Sequence, residues 1–521
     1  MIDPTQPYAS ERSPVCADNM VATSQPLAAQ AGLDMLRRGG NAVDAALASA
    51  ITLTIVEPNC NGIGGDSFAI IWDGKELVGL NGSGRSPARW KTEKFSSLDE
   101  MPLYGWDSVT VPGSVSAWVA MSERYGKLPF DTLFESAIHY AEKGFQVGPK
   151  TAYYWEKALE KFKDYPEFCK HFGPAPKTGQ RFYRPEAAKT LRDIAATKGE
   201  SFYRGELAAK MEQAAIAGGG DLRASDLAAH QSEWVKLIAQ PYRDVVLHEI
   251  PPNGQGLAAQ IALGILQYFP VAELDSVESV HLQIEAMKIG LKTVYEHLSD
   301  LSTMKVKPED LLDPELLART ANSLTDKATP LPPVSLPVSL DTVYLSTADE
   351  NGMMVSFIQS NFWGFGSGIV IPGTGISMQN RGSGFSTDPA HPNCVAPSKR
   401  PFHTIIPGFV TKNGKPMLSF GVMGGPMQAQ GHVQMVQRIF DHGQNPQAAS
   451  DAPRWHLDEN YVVKLEPGFS ADVAEALKSR GHKVEFDADK VLYGGAQLIL
   501  NTEDGYVGGS DHRKEGMAAG Y

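Results

Sequence analysis

Few of the residues able to do chemistry in this chain fall into a local motif. No G-x-S-x-G turn, phosphate-binding G-x-x-x-x-G-K-[ST] loop, H-E-x-x-H helix or EF-hand loop occurs. The cluster Gly364-Phe365-Gly366-Ser367-Gly368 does not fit G-x-G-x-x-G. The 13 histidines show no metal-ligand spacing, and His403, His432 and His456 stand alone. Cys16, Cys60, Cys169 and Cys394 are too scattered for a disulfide framework or a zinc site, so they read as free thiols. Two hydroxyls, Thr342 and Ser360, lie on strand-like runs, Thr342 to Asp349 and Met353 to Ser360, joined by Glu350-Asn351-Gly352. A two-residue Asn351-Gly352 turn pairs Glu350 with Met353 and sets Thr342 opposite Asn361. Ser360 is then one step away, and a single bulge would exchange the two. Taken alone, Thr342 is an ordinary β-branched strand residue.

The elements that must carry these residues are legible in outline. Residues 21–58 read as a helical hairpin: Ser24 and Pro26 start it, Gly39-Gly40 interrupt it, and Asn41 caps a second helix ending before Pro58. Val43, Ala46, Leu47, Ala50 and Ile51 form that helix's buried stripe. A glycine-rich turn, Asn61 to Asp66, leads into a β-hairpin with an Asp73-Gly74 turn. Residues 114–330 read as mainly helical with one strand, Val245 to Ile250. The stretch 325–339, rich in Thr, Pro, Ser and Val, reads as an exposed segment just upstream of Thr342. A long helix is expected at 427–441, and no solenoid or propeller repeat is present.

Four separated blocks resemble the gamma-glutamyltranspeptidases. They are ATSQPLAAQAGLDMLRRGGNAVDAALA with VEPNCNGIGGDSF and LNGSGRSPAR; VTVPGSVSAW; DTVYLSTADENGMMVSFIQS with GFGSGIVIPGTGI; and SKRPFHTIIP with GVMGGPMQAQG and ASDAPRWH. The ending SDHRKEGMAAGY also resembles the family's, and order and spacing hold over nearly the whole chain. The resemblance implies an N-terminal-nucleophile hydrolase fold, α/β in class: a four-layer αββα sandwich. It implies one precursor cut between Asp341 and Thr342 into segments 1–341 and 342–521, which share one core and stay associated.

The same resemblance assigns site residues. Thr342 becomes nucleophile and, through its freed α-amino group with a reference pKa of about 8, its own base. Gly424-Gly425 resembles the family's oxyanion-hole pair, and Ser360 its second hydroxyl. Arg85 aligns with the arginine that holds the substrate α-carboxylate. His403-Thr404 stands where a Ser-Ser pair also contacts that carboxylate; Thr404 keeps one hydroxyl, and His403 is a departure of unsigned effect. Arg381 and Gly384 replace the Gln and Asp that bind the substrate ammonium. Carboxylate recognition therefore looks kept and ammonium recognition lost or moved. The segment from Ser386 to Pro397 is short against members with a lid loop, so a more open pocket is expected.

Composition bounds the rest. The chain has 521 residues, 42% hydrophobic and 21% charged, with a formal net charge of −13. That supports a large core without long disorder, and with no Lys/Arg cluster it argues against nucleic acid. No basic leader followed by an apolar run opens the chain, and no apolar stretch reaches a membrane span, so a cytoplasmic protein without membrane association is expected. The reading is an amidohydrolase or acyltransferase acting on gamma-glutamyl amides such as glutathione, with water or an amine as acceptor and no metal or organic cofactor. A glutaryl-type acylase, as in the related cephalosporin acylases, comes next. A catalytically silent binding protein on the same scaffold is the rival from another class, and a nucleotide-binding protein lacks any supporting motif.

Overall fold

The computed structural model describes residues 11–334 and 342–521. Its centre is a pair of seven-stranded sheets. The first runs, edge to edge, Met517–Gly520, Met20–Thr23, Val343–Ala348, Met354–Ser360, Asp66–Trp72, Leu77–Asn81 and Glu233–Val235. The second runs Val15–Ala17, Gly505–Ser510, Gly495–Thr502, Lys415–Met423, Gly408–Lys412, Val245–Glu249 and Ile238–Tyr242. Every pairing in both sheets is antiparallel.

The sheets stack face to face, with Phe68, Tyr344, Ile358, Phe409, Met423 and Ile499 among the apolar side chains between them. Helices Pro26–Arg37 and Ala42–Val56 cover the outer face of the first sheet. Helices Leu257–Leu266 and Met427–Phe440 cover the second, with Val277–His297 outside them. This is the expected αββα order.

Local chemistry explains the elements near the site. Asn41 accepts from the Val43 and Asp44 N–H groups while Asp44 reaches back to the Asn41 N–H, a reciprocal cap that opens Ala42–Val56. The whole of that helix is buried rather than one stripe of it. Helices Ser114–Tyr125 and Glu135–Lys143 pack on its far side, and its many alanines let them approach. The expected start of the helical hairpin at residue 21 is instead the strand Met20–Thr23. Likewise, the single strand expected within 114–330 is five: Glu233–Val235 and Ile238–Tyr242 precede Val245–Glu249, and Phe145–Gln146 pairs with Arg181–Phe182 in a separate two-stranded ribbon. Of the segment read as exposed, 325–334 is mostly exposed yet tied down. Ala328 N–H bonds Arg480 O, and Val334 N–H bonds Glu459 O. Its continuation to 339 and residue Asp341 lie outside the described residues.

The hairpin carrying the two hydroxyls departs from the two-residue turn. Asp349 pairs with Met353, so the loop is Glu350-Asn351-Gly352 with Gly352 at φ +88°. Asp349 Oδ1 accepts from the Asn351 and Met353 N–H groups and fixes the longer turn. One extra loop residue shifts the register by one: Val343 pairs with Gln359, and the next step sets Thr342 opposite Ser360, not Asn361. The bulge the sequence left open thus sits in the turn, where a glycine supplies the left-handed conformation.

Candidate active site

Alternation along the strands decides which way the hydroxyls point. Val343 and Leu345 pack toward the helices, whereas Tyr344 faces the other sheet. Thr342 shares the Tyr344 side. On the neighbouring strands Ser360 and Asp66 are register partners, and Met354, Ile358, Phe68 and Ile70 on the same strands face the inter-sheet layer. Thr342, Ser360 and Asp66 therefore form a row across three central strands at one end of that layer, each buried. Thr342 Oγ1 donates to Ser360 Oγ at 3.3 Å, and Phe362 N–H donates to the same oxygen at 2.8 Å. The glycine-rich turn before Asp66 wraps the end of the Ser360 strand: a Cβ on Gly65 would lie 2.6 Å from Ser360 O and 2.7 Å from Asn361 Oδ1.

The facing sheet brings the glycine pair to the same end. Ser346 Oγ donates to Ser419 O at 3.0 Å, and the Tyr344 ring lies against Gly421, where no Cβ would fit. Two residues back along one strand is Thr342; two forward along the other is Met423, followed by Gly424 and Gly425. Both glycines have positive φ, +120° and +55°. Their carbonyls accept from Met427 N–H and Gln428 N–H at the start of the helix, and Gln255 Nε2 also donates to Gly425 O at 2.8 Å. The bond to Gly424 O fixes the peptide plane that carries the Gly425 N–H, and those to Gly425 O hold the turn into the helix.

Around the row lies a buried charged cluster. Asp66 Oδ1 accepts from Gly84 N–H, Gly113 N–H and Gln379 Nε2 at 3.0–3.1 Å, and Oδ2 faces His403 Nε2 at 3.1 Å. His403 Nδ1 accepts from Ile405 N–H at 3.4 Å, so the proton sits on Nε2 and the ring is neutral. Burial, with the charges of Arg381 and Arg400, holds His403 well below its ordinary pKa. Burial pushes the Asp66 carboxyl up to about 6 against the pull of Arg381 and its N–H donors. Arg381 is fully buried, with Nη1 on Thr404 Oγ1 at 2.9 Å and its guanidinium carbon 4.2 Å from the Phe362 ring centroid. Burial pulls this guanidinium down to about 9, opposed by Asp66, so it remains charged at neutral pH. Thr404 O accepts from Gln255 Nε2, closing a loop of contacts that links Arg381 to Gly425.

Two of the sequence candidates stand apart from this cluster. The Arg85 backbone adjoins the site, since Gly84 N–H reaches Asp66 and Arg85 O accepts from Val111 N–H. Its side chain turns away to Asp300 at 2.8 Å and Glu233 at 3.4 Å, and is 38% exposed. Gly384 contributes backbone to the wall of a cavity of about 940 Å³, which Phe362, Trp363, Phe402 and part of the 386–393 loop also line. Phe362, which lines this cavity, also donates its N–H to Ser360 Oγ, although neither Thr342 nor Ser360 lines the cavity itself.

Sequence reasoning did not single out Asp66, Gln379 or Gln255. The one local signal was a carboxylate at the first position of a largely apolar strand, directly after a run of glycines. His403 and His432, alone in the sequence, are each buried against a carboxylate, Asp66 and Glu249.

Two antiparallel sheets between helical layers, with a threonine opening a central strand, define the N-terminal-nucleophile class of hydrolase fold. The chain belongs to the gamma-glutamyltranspeptidase family, whose model matches residues 28–521. It is 36% identical to the glutathione hydrolase-like YwrD proenzyme of Bacillus subtilis (strain 168), over 98% of this chain and 99% of that protein. It is 34% identical to the oxamate amidohydrolase proenzyme of Klebsiella pneumoniae, over 98% of this chain and 99% of that one. The crystal structure of cephalosporin acylase from Bacillus halodurans superposes with a TM-score of 0.96 at 46% identity, covering 100% of this chain and 99% of that chain. Among the described residues no helix is long and apolar enough to cross a membrane.

Proposed function

We propose that the chain is the precursor of an amidohydrolase or acyltransferase whose acyl-enzyme forms on Thr342. The observation that carries this reading is the 3.3 Å contact between Thr342 Oγ1 and Ser360 Oγ beside the Gly424-Gly425 turn. In the precursor, Thr342 Oγ attacks the carbonyl carbon of Asp341, and the Asp341–Thr342 peptide becomes an ester. Water then hydrolyses the ester, leaving a carboxylate on Asp341 and a free α-amino group on Thr342.

In turnover that amino group, neutral, takes the hydroxyl proton as Thr342 Oγ adds to the donor carbonyl. The N–H groups of Gly424 and Gly425 receive the oxyanion. The amine departs with the proton, and water or an amine resolves the ester. Segments 1–341 and 342–521 remain one body, because both sheets pair strands of one segment with strands of the other.

For the donor, family membership favours gamma-glutamyl amides such as glutathione. Arg381 and Gly384, standing where an ammonium site is expected, favour glutaryl-type amides instead. The relatives named above act on different acyl groups, so kinship supports the chemistry more than the donor. Losing an ammonium–carboxylate hydrogen bond costs about 1.5–3 kcal/mol, roughly one to two decades in kcat/KM. The processed enzyme should therefore hydrolyse gamma-glutamyl and glutaryl p-nitroanilides at similar rates, and Thr342→Ala should hydrolyse neither. Failure of the wild-type protein to cleave either anilide would sink the reading. A strong preference for the amino-bearing donor would mean that an ammonium site exists.

A further inference from the structure

The donor-binding role of Arg381 can be taken further, on the acyl-transfer reading above. Among the described residues, Nη1 is the one of its three guanidinium nitrogens with a hydrogen-bond partner, Thr404 Oγ1. Nε and Nη2 are buried with no hydrogen-bond partner among the described residues. These two nitrogens share one edge of the guanidinium plane, the edge able to donate to both oxygens of a single carboxylate. Buried N–H groups of a cation are costly when unmatched, and an unmatched set beside a candidate site points to a ligand.

No carboxylate among the described residues meets that edge. Asp66 balances the charge from beyond ion-pair distance, its oxygens engaged by Gly84, Gly113, Gln379 and His403. The guanidinium is also close to the nucleophile pair. The guanidinium stacks on Phe362, whose N–H reaches Ser360 Oγ beside Thr342. Through Thr404 and Gln255 it joins the Gly425 turn. Arg85, the family's expected anchor, is already matched by Asp300 and Glu233.

We propose that the Nε–Nη2 edge of Arg381 anchors the acyl donor's carboxylate in place of Arg85, and that the donors are half-amides of dicarboxylic acids. An α-ammonium gains nothing here: it would meet a cationic Arg381, a neutral His403 and, at Gly384, no side chain.

The test uses the full-length processed protein with glutaryl and butyryl p-nitroanilides, which differ by one carboxylate, and with free glutarate and butyrate as thermal-shift ligands. Wild type should prefer the glutaryl anilide, and glutarate, not butyrate, should raise its Tm. Arg381→Gln should raise KM for the glutaryl anilide about ten- to a hundredfold, bring the glutaryl-to-butyryl selectivity ratio toward one and abolish the glutarate shift. Arg381→Lys, which keeps the charge but not the two-nitrogen edge, should recover only part of the preference. Arg85→Gln should retain the selectivity ratio.

A preference that survives Arg381→Gln, or collapses in Arg85→Gln alone, overturns the proposal. So does a wild-type protein that binds glutarate no better than butyrate, a result that needs no variant to fold. If wild type cleaves neither anilide, the acyl-transfer reading fails, while a glutarate shift lost in Arg381→Gln still upholds the carboxylate site.

Discussion

At the scale of single residues, the site depends on side chains whose partners come from far along the chain. Asp66 meets Gln379 across 313 positions and His403 across 337. No window of sequence could disclose that an aspartate after a glycine run is a buried acceptor, whereas Thr342, Ser360 and Gly424-Gly425 were legible because their surrounding blocks resemble a family. Arg85 shows the limit of such transfer: the alignment supplies a residue type, but the ion pairs of its side chain depend on Asp300 and Glu233, which no block contains. Ser360 offers the simplest residue-scale prediction. Its hydroxyl takes both Thr342 Oγ1 and Phe362 N–H, so Ser360→Ala removes an orienting partner of the nucleophile. One such hydrogen bond is worth about 1–1.5 kcal/mol, so kcat should fall roughly tenfold with KM little changed, and Ser360→Thr should restore most of it. Steady-state kinetics on the processed variants would check this; an unchanged kcat would remove Ser360 from the site.

At the scale of elements, the hairpin turn illustrates what the sequence could and could not specify. Asn351-Gly352 announced a hairpin, but the choice between a two- and a three-residue loop rests on whether Asp349 Oδ1 captures the Asn351 and Met353 N–H groups. That choice moves every facing side chain and decides whether Thr342 meets Ser360 or Asn361. The helix Ala42–Val56 shows the converse: its apolar residues and Asn41 cap were readable, while burial on all sides required knowing that two more helices cover it. Glu57, which follows this helix, supplies a pH prediction. Fully buried and accepting from Ser24 Oγ at 2.5 Å, its carboxyl is pushed up to about 7 by burial, against the charge of Lys514. The folded chain therefore holds this proton up to about pH 7, whereas the unfolded chain releases it near the ordinary glutamate value. Between those limits the folded state binds more protons, so this group's contribution to stability falls as pH rises. Glu57→Gln keeps an acceptor for Ser24 and cannot ionise. Its Tm relative to wild type should rise from pH 5 to pH 8, by a free-energy difference of up to roughly 3 kcal/mol. Parallel melting curves with no change in the difference would contradict this.

At the scale of the whole molecule, the sandwich makes cleavage at its centre compatible with integrity. The strand that Thr342 precedes lies between Met20–Thr23 and Met354–Ser360, and the second sheet likewise mixes strands from before and after the cut. Separating the two segments would break both sheets and divide the apolar layer between them. On the proposed cut, the chemistry would gain a new N-terminus in mid-sheet without losing a partner strand. The sandwich was foreseeable only through the resemblance, since periodicity gave hairpins and helices but not their stacking.

The central claim is that Thr342 is the nucleophile, and intact-mass spectrometry with N-terminal sequencing of the purified protein tests it most directly. Wild type should give two co-purifying fragments, the smaller beginning at Thr342, and Thr342→Ala should remain a single chain. A fragment that begins at any other residue, or an alanine variant that still cuts, would contradict the account.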